Sequence, residues 1–591
     1  MSQALAPEAC TGVADDRGKA QCYHPRRASP TLMPALLALL TSAGGCAEAP
    51  EAADLVFRSG PVYTMDETRS RADAVAIRSG RIVYVGAAEG AAARVGAGTE
   101  VVELGGRALL PGFIDTHVHP TSGGIEAGEC DLNGAASRAE VIERVARCAA
   151  ASPESPWVRG GGFDLPYFPA GAPSRELLDS LVPDRPAYLT SADAHSAWVN
   201  SRALELAGVT ADTPDPPPDG VIVRTAEGVP QGTLRESAME LVARHLPPHT
   251  DEEVRAGLER GLAMAASFGI TTVHEANASE AFARAYHALD QEGALTARAI
   301  VALDVDEARG VAQLPELVAL RDRTTSARAQ PRAAKIFLDG VIEGGTAALL
   351  EPYVDRPGWR GELNVPPDTL AALVAALDDA GFKVHVHAIG DRAVRVALDA
   401  FEAQRARDGG AGPMHVLAHI QLIDPADIPR FASVGVAASF QPLWFQADSY
   451  ITDLTEPRLG PARSRWLYPA RSVVETEAVV VGGSDWSVSS MNPLLAIETA
   501  ITRRDAGAGP GDAWIPEERL DLARLLDMYT RSAAIASDLL EETGSIEVGK
   551  SADLVVLERD PFAVESPSLS EIRVDRTLFE GRTVYLRSAE R

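Results

Sequence analysis

The sequence predicts an α/β protein: a (β/α)8 TIM barrel with a long insertion after its first strand, and a small discontinuous β-sandwich domain built from both chain ends. Three observations predict it. Eight apolar runs alternate with helical stretches, the pattern of repeated βαβ units. About 150 residues separate the first two of those runs, far more than a connecting loop needs. The segments on either side of the barrel carry short alternating strands with turns between them.

Residues 1–50 read as a signal or lipoprotein leader and linker. Arg26 and Arg27 precede the apolar run LMPALLALL and the small residues TSAGGC, a secretory layout. The run falls short of the roughly 20 apolar residues of a membrane span. Ala43, Gly44 and Gly45 ahead of Cys46 resemble a bacterial lipobox, so the expectation is an exported lipoprotein, periplasmic or at the cell surface, anchored through lipid on Cys46. Of the five cysteines, Cys10 and Cys22 fall in this leader. Cys130 and Cys148 are left as a disulfide or as two buried thiols.

Residues 54–108 hold the N-terminal part of the sandwich in ADLVFRSGPVYTM, AVAIRSGRIVYVG and TEVVELGGRALL. Residues 540–588, with SADLVVLERDPF and RVDRTLFEGRTVYLR, hold its C-terminal part. Between them, 109–535 is the barrel. Its strands are ALLPGFIDTHVH, GITTVHEA, TARAIVALDV, AAKIFLDG, FKVHVHAIG, MHVLAHIQL, GVAASFQP and AVVVGGSDWS, with helices such as DTLAALVAALDDAG between them. The insertion, about 125–265, is expected over the barrel mouth, because structureless loops beyond ~15 residues are rare in a compact domain. Hydrophobic residues at 46% and charged residues at 23% are globular proportions. A formal net charge of −28 opposes binding to nucleic acid or to an anionic membrane surface.

His117 and His119 stand two apart at the end of the first strand, so both side chains point the same way. His387 ends the fifth strand, His419 the sixth and Asp485 the eighth. Strand C-termini are where barrel active sites form, and imidazole with carboxylate suits zinc and similar divalent ions. The chain has 51 arginines but four lysines, and one of the four, Lys335, sits inside the apolar fourth strand. An ammonium cannot hold a cation. A neutral lysine amine that takes up carbon dioxide becomes a carbamate with two oxygens, one for each of two metals.

This order of residues, with the motifs PGFIDTHVHP, KIFLDG, HAIGDRA and GSIEVGKSADLVVL, resembles the amidohydrolase superfamily and its family 3 subgroup over about residues 54–586. The resemblance implies that His117, His119 and Asp485 hold one metal, His387 and His419 the second, and carbamylated Lys335 bridges them. It implies a hydrolase cleaving an amide or N-acyl amine C–N bond, in which two metals activate a bridging water and Asp485 carries its proton. Ester or phosphoester hydrolysis, and a metal-free binding protein on the same barrel, are the alternatives. One departure stands out: Ala418 precedes His419 where many relatives have glutamate, removing a contact that would orient the ring.

Other side chains near strand ends are weighed in the same way. Asp193, His195 and Trp198 in the insertion, His274 on strand two, Trp444 after strand seven and Trp486 after Asp485 are candidate substrate contacts. His385 and His415 lie deeper in their strands and are expected to be packed and hydrogen-bonded. Lys383 and Lys550 read as exposed cations. The expected partner is a small-molecule substrate, with a homodimer left open.

Overall fold

A computed structural model describes residues 51–588 apart from 217–219, 411 and 507–510. The leader, Cys10, Cys22 and Cys46 lie outside the described residues.

Eight parallel strands form the central sheet: β1 (Phe113–Val118), β2 (Ile270–Ala278), β3 (Arg298–Asp304), β4 (Ala329–Phe337), β5 (Lys383–Ala388), β6 (Val416–His419), β7 (Ala437–Phe440) and β8 (Val480–Gly482). Each pairs with the next in sequence order. Every residue of β1, β5, β6, β7 and β8 is buried, as expected of strands covered on both faces. The ends meet through Asp485 N–H to the His117 carbonyl at 2.7 Å and His119 N–H to the Trp486 carbonyl at 2.9 Å. Gly483 permits this approach, since a Cβ there would lie 2.7 Å from that of His117.

The small β domain draws on both chain ends. Leu55–Tyr63, Arg71–Arg78, Arg81–Gly86, Glu100–Glu103 and Ala108–Pro111 join Leu554–Leu557, Val574–Phe579 and Arg582–Leu586 in one eight-stranded sheet. Strand Ala108–Pro111 runs antiparallel to Leu554–Leu557, with Leu109 opposite Val556. One residue, Gly112, separates it from β1, so the two sheets are coupled directly.

The insertion carries a six-stranded sheet of its own, in the order Val221–Arg224, Pro230–Arg235, Ser196–Val199, Ala187–Ser191, Val158–Phe163 and Cys130–Asp131. Its end is earlier than the expected 265. Helix Asp251–Ser267, started by a Thr250–Glu253 capping box, packs on helix Pro120–Glu126 of the barrel. A Cβ on Gly124 would lie 1.9 Å from the Gly257 carbonyl oxygen, so the contact is backbone to backbone.

Of the two states left open for Cys130 and Cys148, the structure has the disulfide, with Cα atoms 5.5 Å apart. It ties the sheet's edge strand to helix Arg138–Ala151. Closing a loop of separation 18 is worth about 3 kcal/mol in the chain-entropy account. Cys130→Ser with Cys148→Ser should lower the free energy of unfolding, measured by denaturant titration, by that amount, and an unchanged value would show that the link adds nothing.

Two cation readings need correction. Lys383 is 3% exposed, not solvated: its ammonium donates to the Ala536 carbonyl and pairs with Asp538 at 3.0 Å. Lys550 is 9% exposed and binds Ser545 Oγ at 2.6 Å and Glu547 at 2.9 Å. Among the described residues, no helix is long and apolar enough to cross a membrane.

Candidate active site

Strand alternation aims His117 and His119 from β1 at the barrel mouth, where Asp485, just past β8, meets both. Asp485 Oδ1 lies 3.4 Å from His117 Nε2 and 3.1 Å from His119 Nε2, and its Oδ2 lies 3.8 Å from His419 Nδ1. The His419 ring is centred 4.5 Å from that of His117 and 4.6 Å from that of His387. Lys335 Nζ, from β4, is 3.5 Å from His117 Nε2. All six expected ligand positions therefore converge, and His117, His419 and Asp485 offer ligand atoms within 4.8 Å of one another.

The backbone at two of these positions is unusual. His419 has φ +71° and Asp485 φ +53°, in the left-handed region that disfavours ordinary side chains. Such conformations persist where surroundings over-determine them. Here the His117 carbonyl holds the Asp485 amide, and the Ala388 carbonyl accepts from Ile420 N–H at 2.9 Å.

The donor set suits a divalent cation. Burial, reinforced by neighbouring positive groups, holds His117, His387 and His419 well below the ordinary histidine range, so these rings are neutral. Neutral imidazole is the ligand form. Burial also disfavours charge on His119, but the carboxylates of Asp485 and Glu275 beside it outweigh that and raise the ring to about 9. The position favours positive charge. Burial lowers Lys335 to about 8, against the pull of Asp485, Asp304 and Glu307. At pH 7 that leaves roughly a tenth of the amine neutral, where an unperturbed lysine leaves less than about a thousandth.

Several supporting residues escape a sequence reading. Glu275 accepts from Thr121 Oγ1 at 2.7 Å and Tyr286 OH at 3.2 Å, and its other oxygen lies 3.7 Å from His119 Nδ1. The signal was the pair His274-Glu275, whose side chains must point opposite ways. Asp339 in KIFLDG accepts from the amides of Ala348, Ile389 and Gly390 at 2.8–2.9 Å, pinning the loops after β4 and β5. Gln441, after β7, binds His419 Nδ1 at 3.1 Å and supplies the orientation that Ala418 cannot. His385, expected to be packed, bonds His117 Nδ1 at 2.9 Å and so fixes that ring. His415 is packed as expected, stacked on Phe401 and accepting from Val384 N–H at 3.2 Å.

The six residues open on a cavity of about 680 Å³, also lined by Asp193, His195 and Trp444. Trp444 stacks parallel to His419 at 5.8 Å. His195 Nδ1 bonds Glu236 at 2.7 Å; burial opposes its charge, yet Glu236 raises it to about 9. The insertion thus forms one wall of the mouth.

Three candidate substrate contacts do not reach the cavity. His274 bonds Ser537 Oγ at 2.7 Å, beside residues that also bind the opening turns of β4 and β5, at the end away from the mouth. Trp198 is fully buried against Phe163 and Phe168, its indole N–H donating to the Ser174 carbonyl at 2.9 Å. Trp486, consecutive with Asp485, turns its ring onto Gly123, where a Cβ would come within 2.8 Å of it.

Fold and site together define an α/β barrel whose strand ends gather imidazoles, a carboxylate and a buried lysine. The sequence profile of the Amidohydrolase family matches residues 100–585, and the chain belongs to that family. Protein LONG AFTER FAR-RED 3 of Arabidopsis thaliana is 31% identical over 90% of this chain and 92% of that protein. N-substituted formamide deformylase of Arthrobacter pascens is 28% identical over 90% of this chain and 99% of that protein. Among solved structures, an uncharacterised metal-dependent hydrolase from Pyrococcus horikoshii superposes with TM-score 0.68 at 25% identity, covering 87% of this chain and 99% of that one.

Proposed function

We propose that this protein is a metal-dependent hydrolase that cleaves the C–N bond of an amide or N-acyl amine. The observation that carries the reading is the convergence of His117, His119, Lys335, His387, His419 and Asp485 on one cavity at the barrel mouth. The named activity of the Arthrobacter relative supports an acyl–nitrogen bond as the target.

His117, His119 and Asp485 would hold one divalent ion, zinc being suited to these donors, and His387 and His419 a second. The neutral Lys335 amine would add carbon dioxide with release of a proton, and the resulting carbamate would complete the oxygen donors of the site. Bound there, the ions supply Lewis-acid polarisation of the scissile carbonyl and acidify water. Asp485 takes the proton of the attacking water and delivers it to the leaving nitrogen. His195, held charged by Glu236, donates to an acyl oxygen from the insertion side, while the Trp444 face packs against the acyl or amine chain.

The test is a panel of N-acyl amines, cyclic imides and esters, run beside metal analysis. Amide turnover should fall on chelation and return with zinc. Turnover of esters alone would overturn the C–N assignment. Protein with no stoichiometric divalent metal and no response to added metal would overturn the hydrolase itself.

A further inference from the structure

Five carboxylates that this chemistry does not use line the same cavity: Glu126, Asp164, Asp193, Glu343 and Asp448. They arrive from separate places. Glu126 ends the helix after β1, Asp164 and Asp193 follow two strands of the insertion, and Glu343 and Asp448 follow β4 and β7. One acidic run does not explain them. Lys335 is the only lysine or arginine among the lining residues.

Neutral donors fix these groups in place. Glu126 accepts from Asn133 Nδ2 at 2.7 Å, Asp193 from His195 N–H at 3.1 Å and Asp448 from Ile451 N–H at 3.0 Å. Glu343 is 8% exposed, and its Oε1 accepts from both Gln421 and Thr455. Its Oε2 receives no hydrogen bond from another described side chain. Asp193 Oδ2 is shielded from solvent and accepts no hydrogen bond among the described residues. The nearby Arg235 directs its terminal guanidinium nitrogens to the carbonyls of Gly344, Ala170 and Gly171, at 3.2–3.5 Å.

Carboxylates held mainly by neutral donors, and outnumbering the cations of the same cavity, are costly where water is excluded. Burial pushes Glu126, Asp164, Glu343 and Asp448 up, and the charge of another carboxylate of this wall adds to it at Asp164, Glu343 and Asp448. A bound cation would relieve both effects. Trp444, Tyr450 and Tyr468 line the same space, and aromatic faces attract ammonium groups.

We propose that this acidic wall recognises a cationic nitrogen, so that the substrate is an amide or N-acyl amine carrying a second, protonated amine away from the bond cleaved. The acyl–nitrogen part rests on the function proposed above; the cation preference does not.

The test compares mono-N-acetylated butanediamine with N-pentylacetamide and with the counterpart ending in a carboxylate. The ammonium compound should be preferred over the neutral one by about 10–100-fold in kcat/KM, and the carboxylate should be worst. Rising salt should shrink the preference. Glu343→Gln and Asp448→Asn should each bring the ratio toward one, a change that general damage, lowering both rates together, would not produce. Equal rates for charged and neutral compounds would overturn the proposal. A parallel ester series separates the two readings: esters alone cleaved, with the ammonium preference intact, would refute the C–N assignment and support this one. Should no compound turn over, calorimetry with free butanediamine against butanol decides. Diamine binding weakened by Glu343→Gln supports the wall as a cation site, and absence of binding overturns it.

Discussion

Asp485→Asn should cost about a thousandfold in kcat while the folded structure survives, the scale of losing a positioned proton-transfer group. Asparagine keeps the size of the side chain and one oxygen. It also tolerates the left-handed backbone at φ +53°, as few other residues do. The amide bond to the His117 carbonyl, which helps close the barrel, does not involve the side chain. Circular dichroism and the melting transition should therefore match the parent. Single-turnover rates, measured beside metal content, check the prediction; an unchanged rate with bound metal would remove Asp485 as the proton carrier.

Lys335→Ala should abolish stoichiometric metal binding and turnover together. The loss should exceed the 10–100-fold typical of outer partners of a metal site. Lys335 is 1% exposed, so truncation also leaves a void beside His117. A small carboxylate can enter that void and supply the two oxygens that the proposed carbamate would provide. Acetate or propionate should return part of the activity to Lys335→Ala but none to Lys335→Met, whose side chain fills the space. Full activity in the alanine variant would exclude a bridging carbamate.

The barrel was legible because its strands are buried on both faces and read as continuous apolar runs. The histidine and aspartate candidates were legible because they stand at the ends of such runs, and Lys335, inside one, because it is a rare lysine in an apolar strand. Period two, however, says only that neighbours diverge, never which one faces the mouth. That is why His274 was a candidate while Glu275 beside it went unnoticed, and why Trp486 looked available next to Asp485. Trp198 was misplaced for a related reason: its insertion has a core of its own, including Phe163 and Phe168, that no local pattern announces. Lys383 looked solvated because its partner Asp538 is supplied by tertiary structure, whereas Lys550 is held within its own turn by Ser545 and Glu547. Long-range partners such as Gln441 for His419 are likewise fixed by barrel closure rather than by neighbouring sequence.

The pairing of Leu109 with Val556 also sets an order of events during synthesis. The strand that leads into β1 already has Leu55–Tyr63 on one side, but its other neighbour follows only after the whole barrel has been made. Such distant pairing is slow to form, and an open strand edge waits unprotected in the meantime. A nascent chain stalled after β8 would hold every side chain of the candidate metal site yet lack the strand that completes the sheet beneath it. Closing that sheet therefore waits on strands made after the barrel.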